Sequence, residues 1–305
     1  MKTALFQVCC ASFLLEDNMS ILQSVLLGIL QGIAEFLPIS SSGHLALAQH
    51  LFKLDDVPLL YDIILHLATL FAVVLFFRKK IWALLCCFGR WIARRPEISA
   101  ENPEDLLCGN DTLGKKTIIA IICTTFVTGI MGIVASKLIP QLPLKFTCAG
   151  FIVTAGLLIF SSLWQKKQAN ATSDTDKQLS GQKGIGVLQA LFVGFMQGIG
   201  TLPGISRSGS TIAGAQLAGI NRTSAGEFSF IVSIPAILGA FVLEAKDLGE
   251  IGSSVGMLPV VLGFVSAFAA GYLSLAFLMK LIKKGRLEWF ALYLVPLGLA
   301  GLICL

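Results

Sequence analysis

Charged side chains are scarce in this sequence. Asp, Glu, Lys and Arg make up 13% of its 305 residues, about half the roughly 25% of soluble domains. So little charge cannot cover the surface of a soluble domain of this length. The apolar residues, 55% of the chain, come in long runs, which excludes one large globular core and points to membrane spans. Paired cysteines are missing as well. Of the eight cysteines, Cys9/Cys10 and Cys86/Cys87 are adjacent, Cys108, Cys123, Cys148 and Cys304 are scattered, and no C-x-x-C occurs. A disulfide framework and a zinc site are set aside, and the thiols read as apolar filler. The net charge of +5 does not imply nucleic acid, because the Lys and Arg residues fall between apolar segments, where they set topology.

Residues 1–18 carry Lys2 ahead of a short apolar stretch, but no small-residue cleavage site leads into a soluble domain. They read as an N-terminal extension of no assigned function. Residues 94–116 and 165–184 are polar linkers that cannot lie in lipid. Segments long enough to span lie near 62–78, 117–138, 145–164, 223–244, 256–279 and 287–305. Two further regions, 20–52 and 185–220, are apolar but broken by Pro, Gly and Ser. Each half is too short for a hydrocarbon core of about 30 Å, so they are expected as re-entrant helix–loop–helix hairpins.

An internal repeat organises these pieces. QGIAEFLPISSSG (31–43) aligns without gaps onto QGIGTLPGISRSG (197–209), identical at seven of thirteen positions. Three predicted spans follow each copy, and an odd number of spans inverts the second copy relative to the first. The expected fold is all-α: a polytopic membrane protein with an inverted-topology repeat, two re-entrant hairpins and about six full transmembrane helices. The first repeat is 19–164, the cytoplasmic linker 165–184, and the second, inverted repeat 185–305. With the 78–116 loop in the cytoplasm, that face holds seventeen of the 23 Lys and Arg residues. The opposite face holds Lys2, Lys53, Lys137, Lys145 and Lys246, and Arg207 is intramembrane, an asymmetry that fits the positive-inside rule.

Polar residues kept inside the bilayer carry the chemical information, since a charge there costs about 2.5–3.5 kcal/mol even on insertion scales. The first hairpin has Gln31, Glu35 and His44, with Ser40, Ser41, Ser42 and Gly43 at its turn. The second has Arg207 among Ser206, Ser208, Gly209, Ser210 and Thr211. Gln31 and Glu35, four apart, share a helix face. Each turn opens a half-helix whose free N–H groups and hydroxyls suit an anion, and Arg207 adds a planar fork for phosphate oxygens. The repeat sets Ser41 opposite Arg207 and His44 opposite Ser210. Taken singly, each feature has a plainer reading: packing at a Ser/Gly turn, a proton relay at Glu35, a structural Glu35–Arg207 pair. Their confinement to the two repeated hairpins favours a site. Asp62 and Glu227, near the repeat offset, read as supporting residues, and His50 and His66 as structural.

These motifs, Q-G-I-A-E-F-L-P-I-S-S-S-G-H at 31–44, P-G-I-S-R-S-G-S-T at 203–211 and E-F-S-F at 227–230, resemble those of the undecaprenyl-diphosphate phosphatase family, also called the bacitracin-resistance family. The resemblance covers residues 19–305. It implies hydrolysis of a polyprenyl diphosphate to the monophosphate, recycling the peptidoglycan lipid carrier in a bacterial plasma membrane, with the site reached from the outer face. It also implies Ser41 and His44 as catalytic residues, Arg207 on phosphate, and a Mg2+ or Ca2+ cofactor at Glu35 and Gln31. The family's first motif starts with Glu or Gln, and this chain, with Gln31, is the Gln variant, one carboxylate fewer for a metal. Whether Ser41, His44 or water attacks stays open, and a homodimer is compatible with the sequence. A secondary transporter or flippase for an anionic polyprenyl lipid, using Glu35 and Arg207, is the alternative. A membrane scaffold is a third reading, one in which neither residue matters.

Overall fold

The computed structural model describes residues 19–54, 59–97, 105–138, 143–171, 184–244 and 256–304; the 1–18 extension and parts of both polar linkers lie outside the described residues. Every regular element among the described residues is helical. α1 (Ile21–Phe36) and α2 (Ser41–Leu51) form the first hairpin, followed by α3 (Leu59–Phe76), α4 (Arg78–Ile92), α5 (Asp111–Leu138) and α6 (Leu144–Ala171). The second hairpin is α7 (Val187–Ile199) and α8 (Arg207–Leu217). After it come α9 (Arg222–Glu244), α10 (Met257–Lys284), a 3-10 turn (Leu287–Phe290) and α11 (Ala291–Cys304). The stretches Asp111–Lys137, Leu144–Lys167, Arg222–Leu243, Met257–Lys284 and Leu287–Cys304 are long and apolar enough to cross a membrane. The 18-residue α3 adds about 27 Å of apolar helix. Large apolar side chains such as Phe126, Ile130, Phe160, Leu273 and Phe277 stand exposed along them, as suits lipid neighbours. This is a multi-pass membrane protein.

The hairpin helices begin by the same device. Ser20 caps α1, accepting from the Gln23 N–H at 3.2 Å while the Gln23 side chain accepts from the Ser20 N–H at 2.8 Å, a reciprocal capping box. In α7 the Gln189 side chain accepts from the Gly186 N–H at 2.9 Å, at the same repeat offset. Small residues then set the packing. Gly28 and Gly32 of α1 lie against Gly263, Ala267 and Gly271 of α10, so the two backbones nearly touch. At the matching positions, Gly194 and Gly198 of α7 lie against Thr124, Val127 and Met131 of α5. There the Thr124 hydroxyl donates to the Ala190 carbonyl at 2.8 Å and the Thr128 hydroxyl to the Gly194 carbonyl at 3.1 Å. Each hairpin is therefore seated on a long helix from the other half of the chain.

One segment departs from expectation. The sequence predicts a cytoplasmic loop over 78–116, whereas residues 78–92 form α4 and α5 starts as early as Asp111. RKKIWALLCCFGRWI is too rich in cations to register as a span. Its apolar residues nonetheless recur at helical spacing: Leu84 and Cys87 are buried, while Trp82, Leu85, Phe88 and Ile92 are exposed. Ion pairs anchor it. Arg90 grips the Asp111 carboxylate with two N–H groups, at 3.0 and 2.5 Å. Lys80 reaches Asp105 at 3.0 Å and Glu227 at 2.5 Å. Burial alone would disfavour the Lys80 charge, but Glu227 and Asp105 outweigh it and hold the ammonium above the usual lysine range. Glu227 thus takes a structural place.

The α1–α10 seam yields a direct test. A Cβ on Gly32 would come within 2.6 Å of the Ala267 carbonyl oxygen and the Gly271 nitrogen, backbone atoms that cannot turn aside. Gly32→Val is expected to lower the thermal midpoint in detergent, with an overpacking cost of about 1–3 kcal/mol or more. Gly129→Ala, on a face of α5 with nothing within 4 Å, is expected not to lower it. An unshifted Gly32→Val midpoint would refute the close seam.

Candidate active site

Each hairpin turns where proline stops a helix. Pro38 follows α1, and the cap of α2, Ser40, takes φ 70° and ψ 94°. A left-handed backbone at a residue with a side chain costs on the order of 1–3 kcal/mol and concentrates at functional sites. The Ser40 hydroxyl accepts from the Gly43 N–H at 3.4 Å. In the second hairpin Gly204 makes the left-handed turn at φ 78°, and Ser206 accepts from the Gly209 N–H at 3.0 Å. The two caps are in register: Ser41 and Arg207 are each the first helical residue. The cap hydroxyls also pair alike, Ser40 with Ser42 at 3.4 Å and Ser206 with Ser208 at 3.2 Å. The tips touch, because the Ser208 hydroxyl donates to the Leu37 carbonyl at 3.4 Å.

Glu35, at the end of α1 and only 8% exposed, gathers the donors of both hairpins. Its Oε1 takes an ion pair from Arg207 Nη2. Its Oε2 accepts from the Ser41 hydroxyl at 2.5 Å and from Gln31 Nε2 at 2.9 Å. His66 Nε2 of α3 stands 3.4 Å from the same oxygen. A cavity of about 220 Å³ opens beside this cluster, lined among others by Ser40, Ser41, Ser42, His66, Thr201 and Arg207. Ile63, Ile237 and Ala240 add an apolar wall. A smaller recess of about 10 Å³ is also lined by Arg207, together with Glu35, Ser208, Thr211, Ser229 and Ser233.

The other expected residues are dispersed. His44 is 7% exposed and turns from the cavity: Nδ1–H donates to the Ser40 carbonyl at 2.7 Å, which leaves Nε2 to accept from the Tyr293 hydroxyl at 2.8 Å. Its ring stacks on Tyr293 and leans on Phe151. Ser210 is fully buried and donates to the Ser206 carbonyl at 2.8 Å, and Thr211 to the Arg207 carbonyl at 2.6 Å. Both hydroxyls are spent within α8. His66, read from the sequence as structural, lies in the cavity wall. Its signal in the sequence is an imidazole in an otherwise apolar span, outside the repeated hairpins. Tyr293, the partner of His44, carried no signal, since a lone Tyr near a span end is ordinary.

The donors near Glu35 bear on a divalent cation. Among the described residues no three His, Cys, Asp or Glu side chains cluster to hold a metal. What Glu35 and Gln31 offer is hard oxygen. The Gln31 side-chain carbonyl is buried with no hydrogen-bond partner, an orphan acceptor of the kind that calls for explanation. One carboxylate and one amide oxygen fit a Mg2+-like ion that draws the rest of its shell from water and substrate phosphate.

Fold and site together define a polar site within a membrane protein, built where two helix N-termini meet a buried carboxylate and a part-exposed guanidinium. Residues 24–300 match the family model of the bacitracin resistance protein BacA, and the chain belongs to that family. It is 46% identical over 282 residues to an undecaprenyl-diphosphatase of Treponema denticola, covering 92% of this chain and 96% of the relative. Proteins of the same name from Desulfosudis oleivorans, 38% identical over 277 residues, and Borreliella burgdorferi, 37% over 280, are each covered to 96% and cover 91% and 92% of this chain.

Removing Arg207 strands the buried Glu35 carboxylate. Arg207→Ala is expected to cost about 3–5 kcal/mol of stability, read as a lowered unfolding midpoint in detergent. Adding Glu35→Gln is expected to restore most of it, because no buried charge then lacks a counter-ion. Equal midpoints for the single and double variants would contradict the pairing.

Proposed function

We propose that this chain is an undecaprenyl-diphosphatase, hydrolysing undecaprenyl diphosphate to undecaprenyl phosphate and inorganic phosphate, and so recycling the peptidoglycan lipid carrier and conferring bacitracin resistance. The observation that carries the reading is the Ser41–Glu35–Arg207 contact set at the meeting of two helix N-termini, a nucleophile on a base beside a phosphate fork. The terminal phosphate displaces Glu35 from Arg207 and takes the guanidinium and the α2 and α8 N–H groups. Freed of that pairing, Glu35 accepts the Ser41 proton as Oγ attacks the terminal phosphorus. The bridging P–O bond breaks, and polyprenyl phosphate leaves. Water then attacks the phosphoserine, inorganic phosphate departs, and Ser41 recovers its proton from Glu35. A divalent cation held by Glu35 and the Gln31 oxygen would supply charge neutralisation at the diphosphate. His44, hydrogen-bonded to Tyr293 and the Ser40 carbonyl, braces the α2 turn that presents Ser41.

The same reading includes a plasma-membrane location, an inverted repeat and access from the outer face. Lys166, Lys167, Lys280, Lys283 and Lys284 sit at one set of helix ends, the cytoplasmic set by the positive-inside rule. Ile63, Ile237 and Ala240 of the cavity wall belong to the opposite ends of α3 and α9. The apolar wall they form suits the first isoprenyl units.

Detergent-purified protein is expected to release phosphate from farnesyl or undecaprenyl diphosphate without any gradient; a transporter would release none. Arg207→Ala is expected to lose about 100-fold or more, and Arg207→Lys to recover only part, because an ammonium cannot form the fork. Glu35→Gln is expected to lose activity and respond weakly to added Mg2+ or Ca2+, while Gln31→Glu is tolerated. Near-normal turnover by Arg207→Ala would sink the assignment.

Orientation is tested separately. On a cysteine-free background in intact cells, Lys53→Cys and Lys145→Cys are expected to react with an impermeant thiol reagent, and Glu97→Cys and Lys167→Cys to resist it. Identical labelling of Lys53→Cys and Lys167→Cys would remove the inverted repeat.

A further inference from the structure

His66 is the titratable group of the cavity wall that the hydrolysis above leaves unused. It comes from α3, outside both hairpins, and its ring is held from behind. Nδ1–H donates to the Asp62 carbonyl at 2.7 Å, and the Thr69 hydroxyl donates to the His66 carbonyl at 2.8 Å. Asp62 itself is fixed by Gln49, whose amide donates to Oδ1 at 2.8 Å, so α2 and α3 are tied where the ring is mounted. This leaves Nε2 facing Glu35 Oε2 at 3.4 Å. The ring is thus seated between a backbone carbonyl and the Glu35 carboxylate, on an element separate from both hairpins.

The two oxygens of Glu35 are thereby divided. Oε1 belongs to Arg207, while Oε2 belongs to Ser41, Gln31 and His66. When a phosphate takes the guanidinium, Oε1 loses its partner, and a carboxylate gripped on one side can swing off Ser41. Gln31 shares the helix of Glu35 and moves with it. His66 is anchored on a different element. We propose that His66 is a positioning residue that holds Glu35 on Ser41 during the interval in which Arg207 is engaged by phosphate. The inference rests on the hydrolase reading and adds to it a division of labour: Arg207 serves substrate binding, and His66 serves the base.

Steady-state hydrolysis of farnesyl diphosphate in detergent tests this, with wild type alongside. His66→Leu is expected to lower kcat about 10–100-fold, the scale of a misaligned reacting group, with KM changed less than about twofold. His66→Gln, whose amide N–H can reach Oε2, is expected to stay within about threefold of wild type. Unaltered kcat in His66→Leu, a loss confined to KM, or equal losses in the Leu and Gln variants would each overturn the proposal. If His66→Leu folds poorly, a double-mutant cycle in thermal stability needs no turnover. The losses from His66→Leu and Glu35→Gln should then fall short of adding, and additive losses overturn the contact. Wild-type protein that released no phosphate would overturn the hydrolase reading and this one with it. Active wild type beside an unaltered His66→Leu would overturn this one alone.

Discussion

A carboxylate and a guanidinium face each other inside a bundle of apolar helices, and the rest of the structure is arranged around what that costs. Neither Glu35 nor Arg207 tolerates burial without the other, and a single partner does not satisfy a carboxylate with several lone-pair sites. Ser41, Gln31 and His66 complete the shell of Glu35. Two interrupted hairpins bring them together, and lipid surroundings permit such irregular backbone only where protein encloses it. The hairpins meet that condition by their serine caps, by contact between their tips, and by glycine seams that let α1 and α7 sink against α10 and α5.

In the proposed hydrolysis the same pair would link a resting site to a working one. In the structure the Arg207 fork is occupied by Glu35, which also accepts from the Ser41 hydroxyl. A phosphate that claimed the fork would free Glu35 beside that hydroxyl. Substrate binding and activation of the nucleophile would then be one exchange of partners in a low-dielectric setting, where each such contact counts for more than in water.

Much of this was legible in the residues. The gapless match of 31–43 with 197–209 located both hairpins, and the interruptions at Pro38 and Pro203 fixed their turns. Gln31, Glu35, Ser41 and Arg207, singled out as costly inside a membrane, do come into one contact set. Other features resisted the same reasoning for physical reasons. In α4, cations at both ends (Arg78, Lys79, Lys80 and Arg90) lower the mean hydropathy below that of a span while the helical period persists, and amphipathic order of that kind is invisible to a search for long apolar runs. His66 lacks a counterpart in the other repeat, so the repeat carries no sign of it. Ser41 and His44, three apart on α2, share a helix face, but that spacing does not tell which neighbour each side chain meets. The imidazole ends against Tyr293, a neighbour supplied by α11, 249 positions away.

The crossed seating of the hairpins has a further meaning. Because α1 rests chiefly on α10 and α7 chiefly on α5, each half of the chain holds the main seat of the other's hairpin. A fragment ending after α6 would carry Glu35 and Ser41 without α10 behind α1, and its complement would carry Arg207 without α5 behind α7. Assembly is thus a mutual exchange of seats, and Glu35 and Arg207 meet across it.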